Sequence, residues 1–285
     1  MTPRTYLFVP GDAGPKLEKA WSRGADALIV DLEDAVPAAS KESARRLVAE
    51  WLATQGRAPG EIWVRVDNRP ESLERDIAVA TGSPNIAGVV VPKAADAAQV
   101  GMVRAMLDES AAGPQCGLVP MIETARALIA VNAIAAVPGV TTLMLGEYDL
   151  AADLAITPDR QGTELLHARA AVVVACVAAG LRPPIGAVAA DIADSVRFDE
   201  TTRLLQRLGF YGRAVIHPAQ VRIVNDAYTP DVADVAAARD TLARFDRALA
   251  GGEGVLLDAE GNMVDEATVR TARRTMEAAV AAGLA

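Results

Sequence analysis

Short apolar, β-branched runs recur along the chain, separated by segments whose apolar residues repeat every three or four positions. The runs predict strands at 5–10 (TYLFVP), 27–34 (ALIVDLED), 61–67 (EIWVRVD) and 87–93 (AGVVVPK). Four more fall at 116–124 (CGLVPMIET), 141–150 (TTLMLGEYDL), 183–189 (PPIGAVA) and 211–218 (YGRAVIHP). The seventh opens on two prolines, which cannot donate to a ladder. Helical spacing marks 40–54, with Ser40 as its N-cap, and 96–110, 124–136, 163–179 and 198–208.

Nearly continuous apolar strands predict a parallel sheet covered on both faces. Eight strand–helix alternations predict an α/β fold of the (β/α)8 TIM-barrel class. No Gly-x-Gly-x-x-Gly follows the first strand, which argues against a doubly wound dinucleotide fold. Beyond the eighth strand, 231–249 reads as a helix and 251–265 as a mobile Gly-rich segment or short hairpin. A last helix covers 266–282 and stops at Gly283. The predicted division is a barrel over 1–228 and a C-terminal helical extension over 229–285. The glycines of the extension would hinge a lid or an exchanged arm.

At 285 residues and 51% hydrophobic, the chain suits one large α/β unit. With only 4% aromatics, its core must rely on Ala, Val, Leu and Ile. The net charge of −9 argues against nucleic acid or an anionic membrane as the main partner. No apolar run approaches the ~18 residues of a membrane span, and MTPRTYLFVPGD reads as a first strand, not a signal peptide. A cytoplasmic protein is the expectation. Cys116 and Cys176 sit in apolar runs and read as buried free thiols. Arg4, Lys16, Lys19 and Arg23 read as scattered surface charge, with a local anion-binding cluster as the alternative.

In such a barrel the C-terminal ends of the strands carry the active site. Here those ends bear Asp31, Glu33, Asp34, Arg65, Asp67, Lys93, Glu123, Glu147, Asp149 and His217. Many carboxylates with few cations fit a hard divalent cation plus an anionic substrate. Glu123 and Asp149 end adjacent predicted strands, so their carboxylates converge on one ion. Magnesium takes few protein carboxylates and fills its octahedron with water and substrate oxygens. The lack of a His-rich cluster disfavours zinc. The alternative makes Glu123 and Asp149 helix-capping residues. Arg65 would fork onto a substrate carboxylate, or pair with Glu33 or Asp34. Glu33 and Asp34 would accept hydrogen bonds from water at the metal, or pair with Arg65 or Lys93. His217, before Pro218, reads as a structural rim residue, and His167 as surface.

Taken in order, RTYLFVPG, DLEDAV, VRVDNR, VPK, PMIETA, GEYDLAADL, AVIHPAQ and GNMVD resemble the citrate lyase beta-subunit-like proteins over nearly the whole chain. Those belong to a superfamily of magnesium-dependent carbon–carbon lyases and aldolases on TIM barrels. The resemblance implies Mg2+ at Glu123 and Asp149, and substrate contact at Arg65 and Glu123, with Arg65 holding a 2-keto acid. In acyl-CoA-using relatives the Asp of G-x-M-V-D is the acid/base and reaches a neighbouring subunit's site. That position is Asp265, which from the residues alone reads as the N-cap of the last helix. The resemblance also implies a homo-oligomer, a trimer or hexamer.

The expected activity is magnesium-dependent cleavage of a carboxylated 3-hydroxyacyl-CoA, such as malyl-CoA or citramalyl-CoA, into a 2-keto acid and a shorter acyl-CoA. The alternatives are an aldolase on free 2-keto acids and a citrate lyase subunit acting on citryl-acyl-carrier protein. Two departures bear on the substrate. Asp67 stands where the family often has Asn, and PPIGAVAADIAD replaces a commonly Asp-containing seventh-strand motif.

Overall fold

The computed structural model describes residues 2–56, 58–110, 115–251, 256–257 and 263–284. The chain forms two compact units, Thr2–Asn225 and Asp226–Ala285.

The first unit begins with β1 (Thr5–Pro10), α1 (Gly14–Lys19), β2 (Ala27–Asp31), α2 (Lys41–Thr54), β3 (Glu61–Arg65) and α3 (Pro70–Thr81). It continues through β4 (Gly88–Val91), α4 (Ala97–Asp108), β5 (Gly117–Ile122), α5 (Ala125–Ile129) and α6 (Val131–Ala135). Then come β6 (Met144–Leu145), α7 (Glu147–Asp153), α8 (Leu166–Ala178), α9 (Ser195–Leu208), β7 (Arg213–Val215) and α10 (Pro218–Tyr228), within which the division between the units falls. The seven strands form one parallel sheet in the order β6-β5-β4-β3-β2-β1-β7. Single parallel bridges, Met144↔Ile185 and Gly186↔Arg213, tie the 183–189 segment to both sheet edges.

Alternation along the strands sends one set of side chains inward. Tyr6, Ile29, Trp63, Val90, Val119 and Met144 meet Ile185 and Ala214 in one buried cluster, around which the sheet curls. The opposite faces are covered by the helices. On α3, Leu73, Ile77 and Ala80 are buried at helical spacing.

Several expectations are corrected. The sixth strand is only Met144–Leu145; Glu147–Asp153 is helix, because a parallel ladder needs a partner and β5 ends at Ile122. The segment predicted as the seventh strand makes bridges, not a ladder. The 124–136 helix divides at Ala130 into α5 and α6. Ser40 precedes α2, yet its side chain makes no capping hydrogen bond. Asp96, Thr124 and Asp194 do cap, each accepting a backbone N–H from three residues on. Cys116 and Cys176 are buried and free, and burial pushes both thiols up to about 11.

In the second unit α11 (Val232–Gly251) packs with α12 (Glu266–Ala281), burying Val269, Ala272 and Ala279 of α12. β8 (Leu256–Leu257) and β9 (Met263–Val264) pair antiparallel, the short hairpin expected there. Residues 252–255 and 258–262 of the Gly-rich segment lie outside the described residues. Among the described residues no helix is long and apolar enough to cross a membrane.

Candidate active site

Parallel strands deliver their C-terminal residues to one end of the sheet. Asp31 closes β2 and Arg65 closes β3, and the register sets the two directly opposite each other. Arg65 Nε donates to Asp31 Oδ1 at 2.8 Å and its Nη2 donates to Asp31 Oδ2, a two-pronged fork. Its Nη1 lies 2.9 Å from Glu33 Oε2, and the guanidinium stacks 4.9 Å from the Phe8 ring centroid. Burial works against this cation, but the Asp31 fork and Glu33 raise its pKa.

Glu33 is buried beside it and also takes Lys93 Nζ, which reaches Asp34 at 3.2 Å as well. Burial raises the Glu33 carboxyl, against the pull of Arg65 and Lys93. Lys93, just past β4, adopts φ 52°, a left-handed conformation that disfavours any residue with a Cβ. The twist lets its backbone N–H donate to Glu123 Oε2 at 2.7 Å while its side chain turns to Glu33.

Glu123 follows β5 and is 3% exposed. Burial is the main cause that pushes its carboxyl up to about 7; Glu33 and Asp149 add to this and the Lys93 N–H opposes it. Gly146 makes room for it, since a Cβ there would lie 2.4 Å from Glu123 Cγ and 2.6 Å from its Oε1. Gly146 then opens α7, whose first turn carries Glu147 and exposed Asp149. Arg169 grips Glu147 with two 2.7 Å bonds. Of the two carboxylates of this turn, Asp149 is the one whose charge acts on Glu123.

Asp31, Arg65, Glu123 and Asp149 line one cavity of about 760 Å3. Lys16, Lys19 and Arg23 line the same cavity and have no ion-pair partner among the described residues. Arg4 is not part of that group, because it forks onto Asp26. His217 also lines the cavity, and its Nδ1 accepts the Ala219 N–H. His167 is exposed. Glu33 and Asp34 do not line the cavity; Glu33 stands behind Arg65. Asp265 lies in the second unit, where it caps α12 by accepting the Thr268 N–H at 2.8 Å. That bond holds its carboxyl below the usual carboxylate range. Sequence reasoning placed Asp31 at a strand end but gave it no role. Its place opposite Arg65 in adjacent parallel strands was the signal that could have found it.

A parallel α/β sheet with two carboxylates and a pre-oriented guanidinium converging in one cavity is the equipment of an enzyme acting on an anionic substrate. The chain belongs to the HpcH/HpaI aldolase/citrate lyase family, whose profile matches residues 4–218. It is accordingly a carbon–carbon lyase. It is 30% identical over 282 residues to citrate lyase subunit beta of Leuconostoc mesenteroides subsp. cremoris, covering 97% of this chain and 93% of that protein. Likewise, it is 32% identical over 294 residues to the L-malyl-CoA/beta-methylmalyl-CoA lyase of Rhodobacter capsulatus, covering 94% and 92%. Its fold matches that of CitE from Mycobacterium tuberculosis, solved with magnesium, acetoacetate and coenzyme A. That match has a TM-score of 0.80 and 29% identity, over 97% of this chain and 98% of the other.

Proposed function

We propose that the chain is a magnesium-dependent lyase that cleaves, or forms, a carboxylated 3-hydroxyacyl-CoA such as malyl-CoA or citramalyl-CoA. The products of cleavage are a 2-keto acid and a shorter acyl-CoA. The observation that carries this reading is the meeting of Glu123, Asp149 and Arg65 in one cavity.

The donor set suits magnesium. Among the described residues no group of three or more His, Cys, Asp or Glu side chains is arranged to hold a metal. Two carboxylates, one of them buried and with its carboxyl pushed up by that burial, fit a hard cation that completes its shell with water and substrate. When bound, magnesium supplies Lewis-acid polarisation of the substrate's hydroxyl and carboxylate oxygens. The rest falls to the chain's own residues. Arg65, held by Asp31 and Glu33, forks onto the carboxylate of the 2-keto acid half and steadies the oxygen that becomes the ketone. Glu33 and Asp34 act from behind the cavity, Glu33 by holding Arg65 and both by holding Lys93, and the hydroxyl proton passes to solvent. The carbon–carbon bond then breaks, leaving the 2-keto acid and a thioester enolate. Asp265, acting in a neighbouring subunit's site, returns a proton to the enolate carbon. In condensation it removes that proton.

The three cations without ion partners support a thioester carrying phosphates over a free 2-keto acid. We also read the sheet as a (β/α)8 barrel closed by the 183–189 segment, with 229–285 as the arm that carries Asp265. A cytoplasmic homotrimer or hexamer follows from that arm acting between subunits and from the two unpaired thiols.

A panel of CoA thioesters incubated with Mg2+, with mass detection of the keto acid released, tests the function. Release from at least one carboxylated 3-hydroxyacyl-CoA is expected. Release from none would overturn the reading. In the same assay Asp265→Ala is expected to abolish cleavage while Mg2+ binding persists; full cleavage by that variant would remove Asp265 from the mechanism.

A further inference from the structure

Lys41 is the first residue of α2, where the positive end of the helix dipole disfavours a cation. Its side chain is only 12% exposed. Such a placement needs compensation, and the compensation is specific. Lys41 Nζ donates to the backbone carbonyls of Leu32 at 2.5 Å and Glu33 at 2.6 Å, and lies 3.3 Å from Asp67 Oδ2. An ammonium has three donors, and all three are used.

The three acceptors bracket the substrate-side machinery. Leu32 and Glu33 follow Asp31, and the Asp31 and Glu33 carboxylates are the two that hold Arg65. Asp67 lies two residues beyond Arg65, just past the neighbouring strand β3. It is itself fixed, because its N–H donates to Asp76 Oδ2 at 2.7 Å and Asp76 is fully buried against Arg45. Lys41 therefore ties the segment that carries Glu33 to the segment that carries Arg65.

We propose that Lys41 is a positioning residue. It fixes the main chain at Leu32–Glu33, and so sets the angle at which Asp31 and Glu33 present Arg65 to the substrate carboxylate. This rests on the reading of Arg65 as the substrate grip. Glu123 and Asp149 receive nothing from Lys41, so metal binding is independent of it.

The test compares K41M, D67N and K41M/D67N with the wild type. Four quantities are measured: kcat on the cleaved thioester, pyruvate affinity with Mg2+ present, Mg2+ affinity by calorimetry, and melting temperature. In K41M we expect kcat and pyruvate affinity each to fall about tenfold or more, since displacements near 1 Å cost up to about a hundredfold. Mg2+ affinity stays within about twofold, and D67N, whose amide oxygen can still accept from Lys41, loses less kcat than K41M. The double variant removes the charge imbalance, so it recovers melting temperature lost by K41M without recovering kcat or pyruvate binding. Should K41M not fold, the double variant carries the same comparison with D67N.

Recovery of kcat together with stability in K41M/D67N would overturn the proposal and leave Lys41 as a counter-ion for Asp67. So would unchanged pyruvate affinity in a folded K41M. If the wild type cleaves no thioester, the proposed function fails, while pyruvate binding still decides the role of Lys41.

Discussion

Arg65 is held on two sides by carboxylates and on a third by the Phe8 ring, and still faces the cavity. A guanidinium has five N–H donors, so a fork onto Asp31 and a bond to Glu33 leave capacity for a substrate carboxylate. The sequence offered two readings of Arg65, substrate grip or structural ion pair; the structure shows the pair, and the pair is what would orient the grip. Asp67 is a contrasting case. Arg69 and Lys41 hold its carboxyl well below the usual range, and it is 2% exposed. A carboxyl depressed in the folded state adds stability above its unfolded pKa, about 3.9, and loses it as pH falls through the lower folded value. Asp67→Asn is therefore expected to destabilise the protein by about 1–3 kcal/mol at neutral pH. In denaturant titrations that difference should hold down to about pH 5 and shrink below about pH 4. A difference constant down to pH 2 would refute the charge as its source.

Strand and helix periods were legible wherever packing on one face decides the element. β1 ends where the apolar run ends, and α2, α4 and α9 lie within a few residues of their predicted spans. The site was legible at Arg65 and Glu123, which sit at strand ends that the apolar runs define. Legibility failed at Asp149. TTLMLGEYDL is apolar enough for a long strand, but only Met144 and Leu145 find partners on β5, and the chain coils into α7 after Gly146. Whether a run is ladder or helix is settled by its neighbour, which a lone sequence does not contain. The consequence is that Asp149 is presented by a helix turn whose first residue is locked by Arg169. α3 was missed although Pro70 opens it and Leu73, Ile77 and Ala80 recur at helical spacing. The turn at Gly146 gives a prediction at this scale. Gly146→Ala would push its new methyl into Glu123, whose carboxylate must then shift. Mg2+ affinity, read by calorimetry, is expected to fall about tenfold or more, with a far-UV spectrum unchanged. Wild-type affinity in this variant would show that Glu123 does not need its present position to bind the cation.

Over the whole molecule the charge is −9, yet Lys16, Lys19 and Arg23 gather on one cavity wall. The sequence favoured scattered charge over a local cluster, because only the fold of the β1–β2 connection brings these residues to the cavity that the β5 and β6 ends also line. Reversing Lys16 and Lys19 to Glu is expected to raise KM for a CoA thioester about tenfold or more, at about 1.4 kcal/mol per tenfold. Pyruvate affinity should change less than about twofold. Equal losses for both ligands would place the cations at the keto acid and not at the phosphates.

The central claim is that one cavity joins a magnesium-dependent carboxylate pair to carbon–carbon cleavage of a thioester. The most direct measurement is release of glyoxylate from malyl-CoA and pyruvate from citramalyl-CoA, by wild type and Glu123→Gln, first in EDTA and then with Mg2+ restored. Keto acid should appear only with Mg2+ in the wild type, and Glu123→Gln should lower the rate by about a hundredfold or more. Release that persists in EDTA, or that survives Glu123→Gln undiminished, would contradict the account.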